Sequence, residues 1–112
     1  MYNKEVLKNI IEAKRKNPYK ENKTIDQLRK ETEKAGSLIP LPENINYKSV
    51  VAGNVNAEWI TCGEVSENKI LMFMHGGGYY RGSIAATRAT VARISSEAKI
   101  KCLSINYRLA PE

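Results

Sequence analysis

The sequence has 112 residues, of which 42% are hydrophobic and 27% charged, and its formal net charge is +6. These proportions are typical of a globular domain and exclude a disordered or fibrous chain. Residues 1–36 carry 10 basic and 6 acidic side chains, and residues 37–112 carry 8 and 6. Because both signs are mixed throughout, the charge indicates a solvated surface and argues against nucleic-acid binding.

No apolar stretch approaches the ~18 residues that a membrane-spanning helix needs. The N-terminus interleaves charged and apolar residues and offers no small-residue cleavage site, which argues against a signal peptide. We therefore expect a cytoplasmic protein without a membrane partner. Cys62 and Cys102 show no metal-ligand spacing and are expected to be buried and reduced, so no metal site is predicted.

Two amphipathic helices are predicted within residues 1–36. Apolar residues recur at helical spacing through Lys4–Lys16, which predicts a first helix with one apolar stripe. Thr24, followed three residues later by Gln27, is typical of a capping box at the start of a second helix. Gly36 is predicted to lie just beyond the end of that helix.

An antiparallel hairpin is predicted next. Residues 37–44 contain two prolines and are expected to form an extended linker. The runs Ile45–Ala52 and Ala57–Cys62 are rich in β-branched and aromatic residues, which favours strands. Gly53-Asn54 between them has the composition of a tight turn, so the two strands should pair with each other.

A strand, a helix and a second strand complete the chain. Lys69–Met74 is apolar at every position from Ile70 onwards, which is typical of a strand covered on both faces. A helix with Ser83 as N-cap is predicted over Ile84–Ala98, and a strand over Lys101–Asn106. The predicted class is α/β, with the hairpin leading into a βαβ unit.

The loop between that strand and helix, His75-Gly76-Gly77-Gly78-Tyr79, is the strongest functional signal. Glycine admits positive φ and lets a substrate atom approach the main chain closely. Backbone N–H groups placed in this way stabilise the oxyanion of acyl transfer, each donor contributing roughly 3 kcal/mol. The two glycine patterns that bind phosphate groups, Gly-x-x-x-x-Gly-Lys-Ser/Thr and Gly-x-Gly-x-x-Gly followed by an acidic residue, are both absent. The alternative interpretation is a tight turn without a chemical role.

The catalytic partners of such a loop are missing from the sequence. His75 is the only histidine, and the sole aspartate, Asp26, belongs to the second helix, so we expect His75 to support the loop by hydrogen bonds rather than to act as a base. No Gly-x-Ser-x-Gly pentapeptide occurs. We therefore expect the 112 residues alone to catalyse no acyl transfer.

The glycine loop at a strand end, followed after the next predicted strand by Tyr107-Arg108-Leu109-Ala110-Pro111-Glu112, resembles the hormone-sensitive lipase family of α/β-hydrolases. The similar branch contains bacterial esterases and lactone hydrolases. The resemblance implies hydrolysis of a carboxylic ester or lactone through a serine acyl-enzyme, with no cofactor. The family's nucleophile, acid and base lie C-terminal to these motifs, so none is assigned to this sequence.

The resemblance also implies roles for individual residues. Gly77 and Gly78 would present the oxyanion-hole N–H groups, Gly76 would shape the turn, and His75 would support the loop. Residues 45–112 would form the first half of the α/β-hydrolase core, so that the sequence would be the N-terminal portion of that fold.

Residues 1–36 would contribute two cap helices above the acyl pocket, with Tyr79 or Tyr80 lining that pocket. The sequence departs from the family at two places. Asn106 stands where many members have aspartate, and Arg81 stands where an aliphatic residue is common. These changes are expected to alter local hydrogen bonding without deciding function.

In the complete fold, strand 69–74 is flanked by the next strand on one side and by a later strand on the other. Within this sequence it would be an exposed apolar edge, open to strand addition. We therefore expect self-association or pairing with a complementing C-terminal chain, and poor solubility of the isolated chain. A non-catalytic interaction module, or a subunit of a split enzyme, is the alternative to an esterase fragment.

Overall fold

The computed structural model describes residues 3–18 and 22–112 of the chain. The predicted order of two helices, a hairpin and a strand–helix–strand unit is confirmed. The elements are α1 (Lys4–Lys16), α2 (Ile25–Ser37), β1 (Ile45–Ala52), β2 (Val55–Cys62), β3 (Ser66–Met74), α3 (Ile84–Ala98) and β4 (Ile100–Ile105). None of the helices in these described ranges combines the length and apolarity needed to traverse a bilayer.

The first helix has the bounds that the sequence predicts. Asn3 caps it by accepting a hydrogen bond from the backbone N–H of Glu5 at 3.1 Å. No residue of α1 is buried by the described part of the chain. Since an isolated helix of this length is marginally stable in water, its apolar stripe needs a covering surface. The exposed stripe consists of Val6, Leu7, Ile10 and Ile11.

The second helix begins with the predicted capping box. The Thr24 hydroxyl accepts from the Gln27 N–H at 3.2 Å, and the Gln27 side chain accepts from the Thr24 N–H at 2.9 Å. The predicted end at Gly36 is wrong, because the helix continues to Ser37. Gly36 has a packing role instead: a Cβ there would lie 2.5 Å from the Ala86 Cα of α3. The glycine therefore lets the two helix backbones touch.

The four strands form one mixed sheet in the order β1-β2-β4-β3. The hairpin turn at Gly53-Asn54 is confirmed, since Ala52 pairs with Val55 directly across it. Strand β2 also pairs antiparallel with β4, whereas β3 and β4 are parallel, as a βαβ unit requires. Three strand starts differ from the prediction, which placed them at Ala57, Lys69 and Lys101 rather than at Val55, Ser66 and Ile100.

The hydrophobic core lies between α3 and one face of this sheet. The Ser95 hydroxyl links the two layers, because it donates to the Ile100 carbonyl at 2.7 Å and accepts from the Cys62 N–H at 3.1 Å. Both cysteines are buried and free, and burial raises the pKa of the Cys102 thiol. The central buried cluster is Ile60, Cys62, Val91, Ala92 and Cys102.

Strand β3 forms one edge of the sheet, as expected, but the predicted cover on both faces is wrong for the described residues. Leu71 and Phe73 pack against the core beneath α3. The alternate side chains lie on the opposite face, where Ile70, Met72 and Met74 are 59%, 57% and 64% exposed. The molecule therefore presents an unpaired strand edge next to apolar side chains.

Candidate functional site

The glycine loop connects the carboxyl end of β3 to the first turn of α3. In open α/β sheets, this end of a parallel strand is where ligands bind. The backbone φ is positive at three consecutive residues, with values of +137° at Gly77, +62° at Gly78 and +68° at Tyr79. A Cβ on Gly77 would overlap the carbonyl oxygen of Arg81. The chain can take this path only with glycine at position 77.

The carbonyl groups of the loop are used internally. The Gly77 carbonyl accepts from the N–H of Tyr80 at 3.4 Å and from the N–H of Arg81 at 3.2 Å. The Tyr79 carbonyl accepts from the N–H of Ala110 at 2.8 Å, which joins the loop to the segment after β4. The bend is therefore stabilised by hydrogen bonds to the carbonyl groups of Gly77 and Tyr79.

The amide groups of the loop are not used in this way. Across residues 3–18 and 22–112, no protein acceptor takes a hydrogen bond from the N–H of Gly76, Gly77 or Gly78. Gly76 and Gly78 are exposed and Gly77 is half-buried. These donors are consequently free for a ligand, which is the property that an oxyanion-binding loop needs.

His75 supports the base of the loop. It is 3% exposed, and its Nδ1 lies 2.9 Å from the Gly76 carbonyl oxygen, so Nδ1 carries the proton and donates. The ring stacks on Tyr107 with centroids 4.4 Å apart, and the Tyr107 hydroxyl donates to the His75 carbonyl. In the described part of the chain, no carboxylate contacts the ring. This arrangement suits a supporting residue rather than a general base.

A cleft of about 500 Å³ opens beside the loop, between α2 and the first turns of α3. Gly76 and Gly77 line it, whereas Tyr79 and Tyr80 do not. Tyr79 is 80% exposed, and the Arg81 guanidinium lies 5.4 Å from the centroid of the Tyr80 ring. The other residues that line the cleft include Thr32, Ala35, Gly36, Ile39, Gly82, Ala86 and Thr87.

Comparisons with known proteins show similarity to α/β-hydrolases and esterases. The α/β-hydrolase-fold family matches residues 71–112, which include the whole glycine loop. A crystal structure of an esterase from the bacterial hormone-sensitive lipase family superimposes with a TM-score of 0.83 at 30% identity, and the match covers 99% of this chain and 37% of that one. These matches confirm the resemblance of the chain to the hormone-sensitive lipase family of α/β-hydrolases.

Two curated members of the wider esterase group show the same similarity. An esterase from Acinetobacter venetianus is 23% identical over 103 residues, covering 92% of this chain and 34% of the relative. The versiconal hemiacetal acetate esterase of Emericella nidulans is 30% identical over 74 residues, covering 65% of this chain and 26% of the relative. The chain thus spans between a quarter and a third of the length of these relatives.

Asn106, one of the two expected departures from the family pattern, has a structural function. Its side-chain carbonyl accepts from the N–H of Ile84 at 2.9 Å, in the first turn of α3. Its own N–H donates to the carbonyl of Asn56 at 2.8 Å. The amide oxygen therefore serves as an acceptor at the helix N-terminus, as a carboxylate would.

Arg29 of α2 contacts the loop, and the sequence analysis missed it. Its Nε donates to the Tyr80 carbonyl at 2.7 Å, and its Nη2 donates to the Ala110 carbonyl at 3.0 Å. Both Nη atoms also donate to the Glu112 carboxylate, at 2.7 and 2.9 Å. In the sequence, Arg29 is one of several basic residues on a helix, and no local pattern distinguishes it.

No metal-binding group was found in the portion of the chain that the structure describes. Among residues 3–18 and 22–112, no three His, Cys, Asp or Glu side chains lie together as potential ligands.

The Arg29–Glu112 pair gives a pH-dependent prediction. The hydrogen bond from Arg29 is the main reason that the pKa of Glu112 falls from 4.5 to about 2, and a backbone hydrogen bond of Glu112 lowers it further. Because this pKa is depressed on folding, the stability that the pair contributes should be complete above pH 4.5, decline below it and be lost as the pH falls through about 2. We expect a carboxyl ¹³C NMR titration of Glu112 with a midpoint near 2.

The matched control for that titration is Arg29→Met, in which the midpoint of Glu112 should rise towards the ordinary glutamate value. Asp26 also acts electrostatically on Arg29, so its carboxyl resonance should be followed in the same samples. Equal Glu112 midpoints in the parent and the variant would contradict the ion pair.

Proposed function

We propose that these residues supply the oxyanion hole of a serine carboxylic-ester hydrolase, with Gly77 and Gly78 as the N–H donors. The observation that carries this proposal is the set of unengaged amides at Gly76–Gly78, held on a strained bend at the end of β3. Resemblance to an esterase-containing family supports the same interpretation. In this proposal, Gly76 shapes the turn and His75 supports it.

The chemistry follows from where negative charge develops. A serine attacks the ester carbonyl carbon, and the carbonyl oxygen becomes an oxyanion as the tetrahedral intermediate forms. Two N–H donors aimed at that oxygen stabilise the transition state more than the ground state, by roughly 3 kcal/mol for each donor. No cofactor takes part in such a reaction.

The nucleophile, acid and base are proposed to come from outside these residues, on a continuation of the chain or on a separate one. No Gly-x-Ser-x-Gly pentapeptide occurs within residues 1–112, and the only histidine is engaged with the loop backbone. The isolated 112-residue chain should therefore hydrolyse no ester.

The proposed substrate is a small carboxylic ester or lactone. The names of the relatives include a general esterase and an esterase of an acetate ester, which supports the ester class. Residues 1–36 are proposed to form part of a cap over the acyl pocket, residues 37–44 a linker and residues 45–112 the first half of the core. The exposed side chain of Tyr79, or the neighbouring Tyr80, would then line the acyl pocket.

The edge of β3 is proposed as the docking place of the complementing C-terminal segment. Its backbone is paired on one side only, and three apolar side chains beside it are more than half exposed. Addition of a strand there would pair the free N–H and C=O groups and cover part of the apolar face. Without that segment, the same edge favours self-association.

We also propose that the protein is cytoplasmic and that it binds neither nucleic acid nor a membrane.

The test is a graft. Residues 1–112 replace the matching third of the Acinetobacter venetianus esterase, and turnover of a p-nitrophenyl ester is measured beside the isolated chain and an unrelated protein. We expect turnover from the graft and none from the isolated chain. Serine-dependent, inhibitor-sensitive turnover by the isolated chain would contradict the missing nucleophile.

A graft can fail for want of folding, so circular dichroism and labelling by a serine-directed fluorophosphonate are recorded with it. A folded, labelled graft without ester turnover would contradict the oxyanion role. Supplying the two parts as separate chains tests the docking of a complementing segment on β3. Copurification and turnover are expected, whereas failure of two individually soluble parts to associate would contradict it.

The same exposed edge favours a second candidate function, a non-catalytic interaction module. This candidate predicts a stoichiometric partner without serine-hydrolase motifs and no turnover in any graft.

A further inference from the structure

Arg29 connects three parts of the molecule that are far apart in the sequence. It lies on α2, and its guanidinium reaches the glycine loop at Tyr80 and the C-terminal segment at Ala110 and Glu112. The side chain of Arg29 is 26% exposed. One planar cation therefore satisfies two main-chain carbonyls and one carboxylate at once.

The geometry requires an arginine. Nε and Nη2, on one edge of the guanidinium, donate to the two carbonyls, while Nη1 and Nη2 form a two-point contact with the carboxylate. A guanidinium presents five donors in a rigid fork, whereas a lysine ammonium is a compact point charge that cannot reproduce this fork. The contact with Glu112 also orients the fork, because each Nη atom donates to a different carboxylate oxygen.

The two carbonyls that Arg29 holds belong to segments that are themselves joined. The N–H of Ala110 donates to the carbonyl of Tyr79. The next residue, Tyr80, provides the carbonyl that Arg29 binds. The half of the loop that follows Gly78 is thus held from two sides. Tyr79, with its φ of +68°, is a non-glycine residue in the left-handed region, a conformation that persists only where its surroundings impose it.

We infer that Arg29 is a positioning residue that holds the glycine loop in its bent conformation. It acts through the Tyr80 and Ala110 carbonyls and touches none of the glycines. Its significance for oxyanion binding rests on the proposed function, whereas its effect on the loop can be measured without any substrate. Because Arg29 belongs to α2, the same contacts make the conformation of the loop dependent on the seating of a cap helix.

The experiment is amide NMR on the full 112-residue chain, comparing the parent with Arg29→Met and Arg29→Lys. Both variants should exchange the Ala110 amide about tenfold faster, the equivalent of one lost hydrogen bond. Both should also shift or broaden the Gly77 and Gly78 amide signals, whereas the core amides of Cys102 and Leu103 should be unchanged. Arg29→Lys keeps the positive charge. If it fails to restore the exchange rate and the amide signals of the parent, the effect depends on the shape of the guanidinium and not on its charge.

Arg93→Met is the matched control, because it removes the same charge from an exposed arginine whose hydrogen bond to the Pro40 carbonyl is long, at 3.5 Å. It should leave the loop signals as in the parent. Glu112→Gln is the milder variant if Arg29→Met does not fold, and it should accelerate Ala110 exchange less than Arg29→Lys does.

Four results would overturn the inference. They are loop signals unchanged in the Arg29 variants, full rescue by lysine, uniform acceleration of loop and core amides, and an Ala110 amide that is unprotected in the parent. The first three would reduce Arg29 to a surface or general stability role. Since no readout involves ester turnover, failure here is distinct from failure of the graft, which tests the oxyanion function.

Discussion

Replacing Gly77 with alanine is expected to lower kcat of the grafted esterase by about 10²- to 10³-fold, the loss that follows removal of one oxyanion donor. The physical reason is local. Gly77 has a φ of +137°, and an added Cβ would overlap the Arg81 carbonyl oxygen, so the bend must open. Once the bend opens, the N–H groups of Gly77 and Gly78 would no longer point at the proposed position of the oxyanion.

Gly53→Ala is the matched control for this change. Gly53 also has a positive φ, +65°, but it lies in the hairpin turn and an added Cβ would meet nothing within 4 Å. It should cost stability, by about 1 kcal/mol, and leave kcat near the parent value. An equal loss of kcat in both variants, or no loss in Gly77→Ala, would contradict the proposed role of the loop.

Replacing Arg88 with methionine is expected to lower the free energy of unfolding by about 3 kcal/mol. Arg88 of α3 donates to both carboxylate oxygens of Glu58 on β2, at 2.7 and 2.8 Å, and the Glu58 side chain is only 5% exposed. The hydrogen bond to Glu58 raises the pKa of Arg88. Without Arg88, a buried carboxylate remains unpaired, and urea unfolding followed by circular dichroism measures the cost.

The exposed pair of Lys23 and Glu31 provides the comparison. Its two side chains are 37% and 53% exposed, so Lys23→Met should cost less than about 1 kcal/mol despite a separation of 2.6 Å. The double variant Glu58→Leu with Arg88→Met should recover most of the stability that Arg88→Met loses, because no charge is left buried. Equal losses in Lys23→Met and Arg88→Met would contradict the importance of burial.

The sequence predicted those features that local patterns determine. The bounds of α1, the capping box at Thr24, the hairpin turn at Gly53-Asn54 and the N-cap at Ser83 each depend on residues a few positions apart, and all four are confirmed. The glycine loop was recognisable for the same reason, since its residues are consecutive and follow an apolar strand.

The features that the sequence did not predict depend on residues far apart in the chain. Gly36 was interpreted as a helix end because glycine is common there, but its position is fixed by contact with Ala86 of another helix. Arg29 meets its partners across 51 to 83 residues of sequence. The stacking of Tyr107 on His75 joins residues 32 positions apart, so the segment after β4 contacts the candidate site directly.

The contact between Gly36 and Ala86 bears on which of the helices can move. Two helices that meet backbone to backbone interlock, and neither can slide without breaking that fit. We therefore expect α2 to stay fixed against α3. Any movable helix should then be sought in α1, none of whose residues is buried by the described part of the chain.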